Sequence, residues 1–414
     1  MNPHDMTLLI YNISLVPIVF FSVLFLILIV LNLFVERRRP QKVRKLKELP
    51  FVSVQIPTFN DPVALRCVDK CMKFDYPKDK FEIIIVDDST HSETQQRLKS
   101  IADENPGFVK YIHRTNREGF KPGALKNAMK ITNGEIIVVF DADWIPRRSF
   151  LKKIVQPFAD PKVAIVQTRQ GFYNHHTNLI TRFAAYLLMV YHTIVMPINN
   201  RINCVFFCGT AGALRRSTFD EVGGWNLDSI TEDSDLSVRL LMKGYKTVYL
   251  DHETPSEVPD TFESFIKQQM RWCYGNARVF FDNAGKVLFK PGLSIKQRIM
   301  IMYITLANIA APIVVSMTLF GFMGWFLGEP SLFQINDAVE LFSRFAYTAG
   351  FIVMGVVTLA RHNMLNETKH LLASVLTVGL VLAVANSFAF LKAAFNRRLH
   401  WFCTPKVDNV RALK

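Results

Sequence analysis

The sequence predicts an α/β domain with a mixed, mainly parallel sheet, held between α-helical transmembrane segments at both ends of the chain. Three observations predict it. Between Phe51 and Leu250, short apolar runs alternate with polar, helix-forming stretches, the pattern of strands joined by crossover helices. Half of the 414 residues are hydrophobic, and the excess lies in charge-free blocks towards the two ends, where membrane-crossing helices would put it. Two acidic motifs, Asp87-Asp88 and Asp141-Ala142-Asp143, each follow a buried apolar run, and ligands of open α/β sheets sit beyond that end of the strands.

Taken in order, residues 1–36 form the first membrane segment. Thr7 to Val35 carries no charge, and as a helix it exceeds the ~30 Å core of a bilayer. It is too long for a cleaved signal sequence, and no basic region precedes it. A basic linker, 37–50, follows with Arg37, Arg38, Arg39, Lys42, Arg44, Lys45 and Lys47, which places that flank in the cytoplasm and the N-terminus outside. Residues 51–292 form the α/β domain. Its predicted strands are Val52–Ile56, Glu82–Val86, Val109–His113, Glu135–Phe140, Ala164–Thr168 and Lys246–Leu250, with one more breaking into a small-residue loop within Cys204–Leu214. Its predicted helices are Leu65–Phe74, Glu93–Ala102 capped by Ser92, Ala124–Ile131 after a Lys121-Pro122-Gly123 loop, Ser234–Lys243 and Thr261–Phe281.

Asn178 to Ile198 is apolar enough to cross, but it interrupts the α/β domain between two of its motifs. It is therefore expected to lie in the membrane interface, as is the helix over 261–281. Residues 293–396 hold about three further membrane segments, Ile299–Leu327, Phe345–Leu359 and Leu371–Leu391, and 397–414 a basic tail. This count leaves a conflict. Four crossings from an outside N-terminus put the C-terminus outside, whereas Lys392, Arg397, Arg398 and Lys406 favour the cytoplasm. The short middle segment, bounded by Arg344 and Arg361, is the first suspect.

The net charge of +14 fits nucleic acid, a membrane surface or an anionic substrate. No zinc-finger spacing or RNA-binding aromatic signature is present, so nucleic acid is not expected, and the position of the charge beside apolar segments favours the lipid bilayer. The six cysteines form no C-x-x-C pair and are expected to be free thiols. His175-His176 has no partner at metal-ligand spacing and is expected to be surface.

Four groups of residues carry chemistry. Asp141-x-Asp143 offers two hard carboxylates on one loop, suited to Mg²⁺ or Mn²⁺ with substrate phosphate oxygens completing the shell; a solvated acidic turn is the alternative. Asp87-Asp88 can accept hydrogen bonds from a nucleobase or a ribose, and Lys121 can meet a phosphate. Thr231-Glu232-Asp233 is either a proton-accepting site, with Glu232 orienting and Asp233 acting, or a plain helix cap. Gln268-x-x-Arg271-Trp272 puts a diphosphate-binding guanidinium and a sugar-sized aromatic face within about one helical turn, or else it is a membrane-interface helix.

In this order and spacing, these motifs resemble the processive membrane-bound family-2 glycosyltransferases: the cellulose, hyaluronan and chitin synthases and the glucomannan synthase-like proteins. Phe206-Phe207-Cys208-Gly209-Thr210 is similar to that group's acceptor-site loop. The resemblance implies a GT-A type domain facing the cytosol of the plasma (inner) membrane. The implied reaction is an inverting transfer from a UDP- or GDP-sugar to the end of a growing β-glycan, coupled to translocation. It further implies Asp233 as the general base. Asp87, Asp88, Lys121, Asp141 and Arg271 would hold the donor nucleotide, and Asp141 and Asp143 the metal. Phe207, Cys208, Gly209, Thr210, Glu232, Gln268 and Trp272 would border the acceptor. Unlike bacterial cellulose synthase, no cyclic-nucleotide-binding barrel follows Leu391 and the membrane segments are fewer, so a homodimer or an export partner is expected to complete the path. Two other readings stay open: a single-addition glycolipid transferase of the ceramide-glucosyltransferase kind, and a nucleotide-binding membrane transporter or scaffold.

Overall fold

The computed structural model describes residues 3–36, 46–328, 339 and 349–399. Arg37 to Lys45 of the basic linker, Arg344 and the start of the Phe345–Leu359 segment, and the tail from His400 with Cys403 and Lys406 lie outside them.

Seven strands form one sheet: β1 (Val52–Thr58), β2 (Phe81–Asp87), β3 (Val109–His113), β4 (Ile136–Val139), β5 (Val163–Phe172), β6 (Gly212–Arg215) and β7 (Lys246–Ser256). Their order is β3-β2-β1-β4-β6-β5-β7. Only β6 runs against its neighbours β4 and β5, so the sheet is mixed and mainly parallel. All seven residues of β2 are buried, and six of seven in β1. Such continuous apolar runs, covered on both faces, are what parallel strands under helices require. Thr58 pairs with Asp87 in register, so β1 and β2 end flush and deliver Phe59 to Asp61 and Asp88 to the same edge.

Several boundaries differ from the sequence reading. Lys121-Pro122-Gly123 is not a loop but the first turn of the helix Phe120–Ala128, where proline is tolerated because its missing N–H has no partner there anyway. The helix after β2 is Ser92–Glu104, and its cap position is His91, not Ser92. Within Cys204–Leu214 the strand follows the small-residue loop instead of preceding it, because β6 begins only at Gly212. β5 and β7 run well past their predicted ends, to Phe172 and Ser256, and pair with each other there. The helix carrying Arg271 is Phe262–Phe289, with the Thr261 hydroxyl accepting from the Ser264 N–H.

Among the described residues, three helices are long and apolar enough to cross a membrane: His4–Val35, Leu179–Arg201 and Ile295–Phe326. A π turn at Tyr191–Val195 interrupts the second. Ser14 Oγ and Ser316 Oγ lie 3.1 Å apart, tying the first helix to the third. Leu371–Leu391 is not one rod. The helices Thr368–Leu376 and Val378–Ala394 meet at 46°. The suspect middle segment is a 12-residue helix, Gly350–Arg361. At 1.5 Å per residue it is about 18 Å long, short of the bilayer core. Its first N–H donates to Ser22 Oγ (2.8 Å), and Arg361 at its end donates to Asn32 Oδ1. It therefore runs alongside the second half of the first helix, in the same direction.

Candidate active site

The carboxyl ends of β1, β2 and β4, the loop before β6, the turn before the helix Glu232–Met242, and one face of Phe262–Phe289 enclose a cleft with a free volume of about 210 Å³. At one end, Phe59, Asp61, Asp88 and Arg117 line it. Arg117 stacks its guanidinium 3.3 Å over the Phe59 ring. Asp88 makes a two-pronged pair with Arg114, at 2.7 and 2.5 Å. Asp87 does not line the cleft. One of its oxygens accepts from the Ser89 N–H (2.8 Å) and the other from the Tyr111 hydroxyl (2.8 Å), so it shapes the turn that presents Asp88.

In the centre, Lys121 Nζ lies 2.6 Å from Asp141 Oδ1 and donates to the Gly209 carbonyl at 3.0 Å. The Thr210 hydroxyl accepts from the Asp141 N–H (2.9 Å). Burial disfavours charge on Lys121, but Asp141, Glu232 and Asp233 outweigh it and raise its pKa above the ordinary value. Asp143 is buried and accepts from the Glu257 N–H (3.1 Å), which fixes it against the end of β7.

The loop before β6 is held from two sides. Ser237 Oγ accepts from the Phe207 N–H (2.9 Å) and donates to the Asp233 carbonyl (2.7 Å). Gln167 Oε1 accepts from the Cys208 N–H (2.9 Å), while its amide donates to the Thr210 carbonyl (3.0 Å). Cys208 and Thr210 line the cleft, but Phe207 does not. Its ring is buried in the core, 6.2 Å from that of Trp225. Gly209 has φ +75°, and a Cβ there would stand 2.9 Å from Asp233 Oδ2, so the close approach needs glycine.

Thr231, Glu232 and Asp233 all line the cleft. The Thr231 hydroxyl makes no cap bond; instead Asp233 Oδ1 accepts from the Ser234 N–H (2.8 Å). Of the two sequence readings, the helix begins here as expected, but the carboxylates face the cavity. Burial and the neighbouring Asp233 push Glu232 up to about 7 against the pull of Lys121 and Arg271. Burial raises Asp233 as well, against the same two cations and the Ser234 N–H.

Gln268, Arg271 and Trp272 complete the wall of the cleft. Gly275 brings them close: a Cβ there would overlap Thr231 Cγ2 and stand 2.6 Å from its Oγ1. Ser234 Oγ donates to Asn276 Oδ1 (2.8 Å), a second tie between the two helices. Sequence reasoning singled out neither Gly275 nor Asn276, although each lies within four residues of Trp272. It also missed Arg117, Phe59, Asp61 and Glu257. Nothing in the polar end of β7 signalled Glu257. His175 is half-buried, with Nδ1 2.6 Å from the Phe172 carbonyl, not simple surface.

Comparison with known proteins then decides the family. The sequence profile described as "Glycosyltransferase like family 2" matches residues 50–275, more than half of the chain and every motif above. The chain belongs to this family. Among its relatives, probable glucomannan 4-beta-mannosyltransferase 7 of Oryza sativa subsp. japonica is 35% identical over 282 residues, covering 64% of this chain and 48% of that protein. Glucomannan 4-beta-mannosyltransferase 7 of Arabidopsis thaliana is 31% identical over 306 residues, 69% of this chain and 55% of that protein. The chain spans about half the length of the curated relatives it matches. A mannosyltransferase from Pyrobaculum calidifontis, solved with GDP-Man and Mn²⁺, superimposes with a TM-score of 0.65 over 94% of this chain and 99% of its own, at 19% identity. That likeness supports the fold: a GT-A-like α/β domain with apolar helices in its N-terminal and C-terminal regions.

Proposed function

We propose that this family-2 glycosyltransferase catalyses inverting transfer of a sugar from a nucleotide diphosphate to the end of a growing β-glycan, with GDP-mannose as the donor its relatives suggest. The carrying observation is that four motifs, up to about 180 residues apart in sequence, meet in one cleft: Asp88, Lys121 with Asp141, Glu232 with Asp233, and Arg271 with Trp272. Arg117, Phe59 and Asp88 take the nucleoside, and Lys121 and Arg271 face its diphosphate. Asp233 accepts the proton of the acceptor hydroxyl as that oxygen bonds to the anomeric carbon. The bond to the diphosphate breaks with its electron pair staying on the leaving phosphate oxygen. A carboxylate raised by burial suits this work, because it takes a proton more readily. Trp272, Cys208 and Thr210 border the acceptor.

Asp141 and Asp143 fit a divalent metal. They are two oxygen donors of one loop, and among the described residues no group of three His, Cys, Asp or Glu side chains closes a metal site by itself, so diphosphate oxygens would complete the shell. When bound, Mg²⁺ or Mn²⁺ would supply positive charge to the leaving diphosphate.

The protein is proposed to be integral to the plasma (inner) membrane, with the 51–292 domain cytosolic and the helix Leu179–Arg201 in the interface. The first helix would cross inward and Ile295–Phe326 outward. Gly350–Arg361 starts level with Ser22 and heads inward to Asn32. The bent pair that follows packs on Phe262–Phe289 through Ala389 and Phe390, and this supports a cytosolic C-terminus, which Arg397 and Arg398 favour. A second copy or an export partner would complete any path across the bilayer. The test is to incubate detergent-purified full chain with GDP- and UDP-sugars, Mn²⁺ and β-1,4-linked oligosaccharides, and to size the products. A ladder supports the reading; a single sugar on lipid alone contradicts it.

A further inference from the structure

Beside the cleft lies a second cavity, of about 120 Å³. It sits between the far ends of β5 and β7, the π turn of Leu179–Arg201 and the residues just after Gly350–Arg361. Gln170 and Phe172 line both cavities, so the two share a wall. The π turn matters here. One extra residue in the turn sets two consecutive side chains, His192 and Thr193, towards the same cavity, and single π turns recur at functional positions. His192 is 2% exposed, and its Nε2 has no hydrogen-bond partner among the described residues. A buried ring nitrogen left in that state costs free energy, so the fold gives up stability to keep this ring in the cavity wall.

The lining chemistry narrows what that something is. Thr193 Oγ1 lies 3.0 Å from His362 Nε2, a pair able to donate and accept. Burial lowers the pKa of His175 and His362, which keeps both imidazoles neutral at pH 7. Arg169 is held between Asp251 and Glu253, each at 2.6 Å, so its charge is answered within the protein, and the Glu253 carboxylate repels an anion. Among the described residues no three potential ligands gather for a metal. Phe172 and Met189 add apolar surface to this set of donors and acceptors. A neutral, hydroxyl-rich ligand with apolar ring faces matches it, which is the chemistry of a sugar.

We propose that this cavity is a distal acceptor subsite, holding a sugar unit of the glycan behind the terminus that Asp233 and Trp272 engage. The Gln170–Phe172 wall is the point where the chain passes from one cavity to the next. This rests on the glycan-acceptor reading above. The subsite is read by binding and the reaction by turnover, so the two fail separately.

The experiment is equilibrium binding of β-1,4-linked mannose and glucose oligomers, two to six units long, to the full chain in detergent. Wild type is compared with Thr193→Val and His192→Phe, which keep shape and remove polar groups. Wild-type affinity is expected to rise about tenfold as the oligomer grows long enough to reach the cavity. Both variants should lose that rise while keeping wild-type affinity for GDP and for the shortest oligomer. If His192→Phe does not fold, the near-isosteric Thr193→Val carries the comparison. Affinity independent of length in wild type, or the same rise in the variants, overturns the proposal and leaves the cavity to water.

Discussion

Lys121 Nζ bridges Asp141 Oδ1 (2.6 Å) and the Gly209 carbonyl (3.0 Å), so one lysine ties the acidic loop after β4 to the loop that packs against Asp233. The carboxylates around it hold its pKa up despite burial, and it stays charged throughout the neutral range. A charge already held in place at a developing diphosphate stabilises it with no reorganisation at the moment of reaction.

Lys121→Met is therefore expected to lower kcat/KM for the nucleotide sugar by about a hundredfold, the scale of removing one group that stabilises transition-state charge. Lys121→Arg should restore only part of it, because a forked guanidinium does not reproduce a point charge reaching both partners. Initial rates over donor concentration check both.

Glu232 gives a pH signature. Its pKa is raised to about 7, so in the window between the ordinary carboxylate value and 7 the folded state binds more protons than the unfolded chain. That contribution to stability is present in full below the window and is lost as pH rises through about 7. Glu232→Gln removes it. The variant should be more stable than wild type at pH 8, by up to about 3 kcal/mol, with the gap closing as pH falls towards 4.5. Thermal melts of the two proteins across that range read the difference, and a gap that widens on acidification would reverse the sign.

Gly275 sets how near the helix of Trp272 stands to the turn that carries Glu232 and Asp233. Gly275→Ala drives a methyl into Thr231, and overpacking of this kind costs about 1–3 kcal/mol. Transferase activity should fall more than stability, since the two helices carry opposite walls of the cleft. Adding Thr231→Ala should recover part of the activity, and assays of the single and double variants measure that recovery.

Much of the fold was legible in the sequence because it depends on local pattern. The apolar runs of β2 and β4 ended in acidic motifs, and those ends mark the cleft edge. Tertiary contact decided the rest. β5 and β7 extend to Phe172 and Ser256 because each supplies the other's ladder, which neither segment's own composition announces. Phe207 belongs to an acceptor-like motif, yet its ring turns into the core against Trp225, since alternation along an extended segment sends neighbours to opposite sides. Asp87 reads the same as Asp88 in sequence, and only Tyr111 and Ser89 show that it holds the turn instead of facing the cleft. The break at Thr377 falls inside the uncharged run Leu371–Leu391, so hydropathy passed over it.

The central claim is that Asp233 takes the proton from the acceptor. The direct measurement is the single-turnover rate of sugar transfer by Asp233→Asn, alongside its dissociation constant for GDP. A positioned general base contributes about 10²–10⁴ to the rate, so transfer should fall by at least a hundredfold while GDP affinity stays within about twofold. Transfer at the wild-type rate by Asp233→Asn would contradict the assignment.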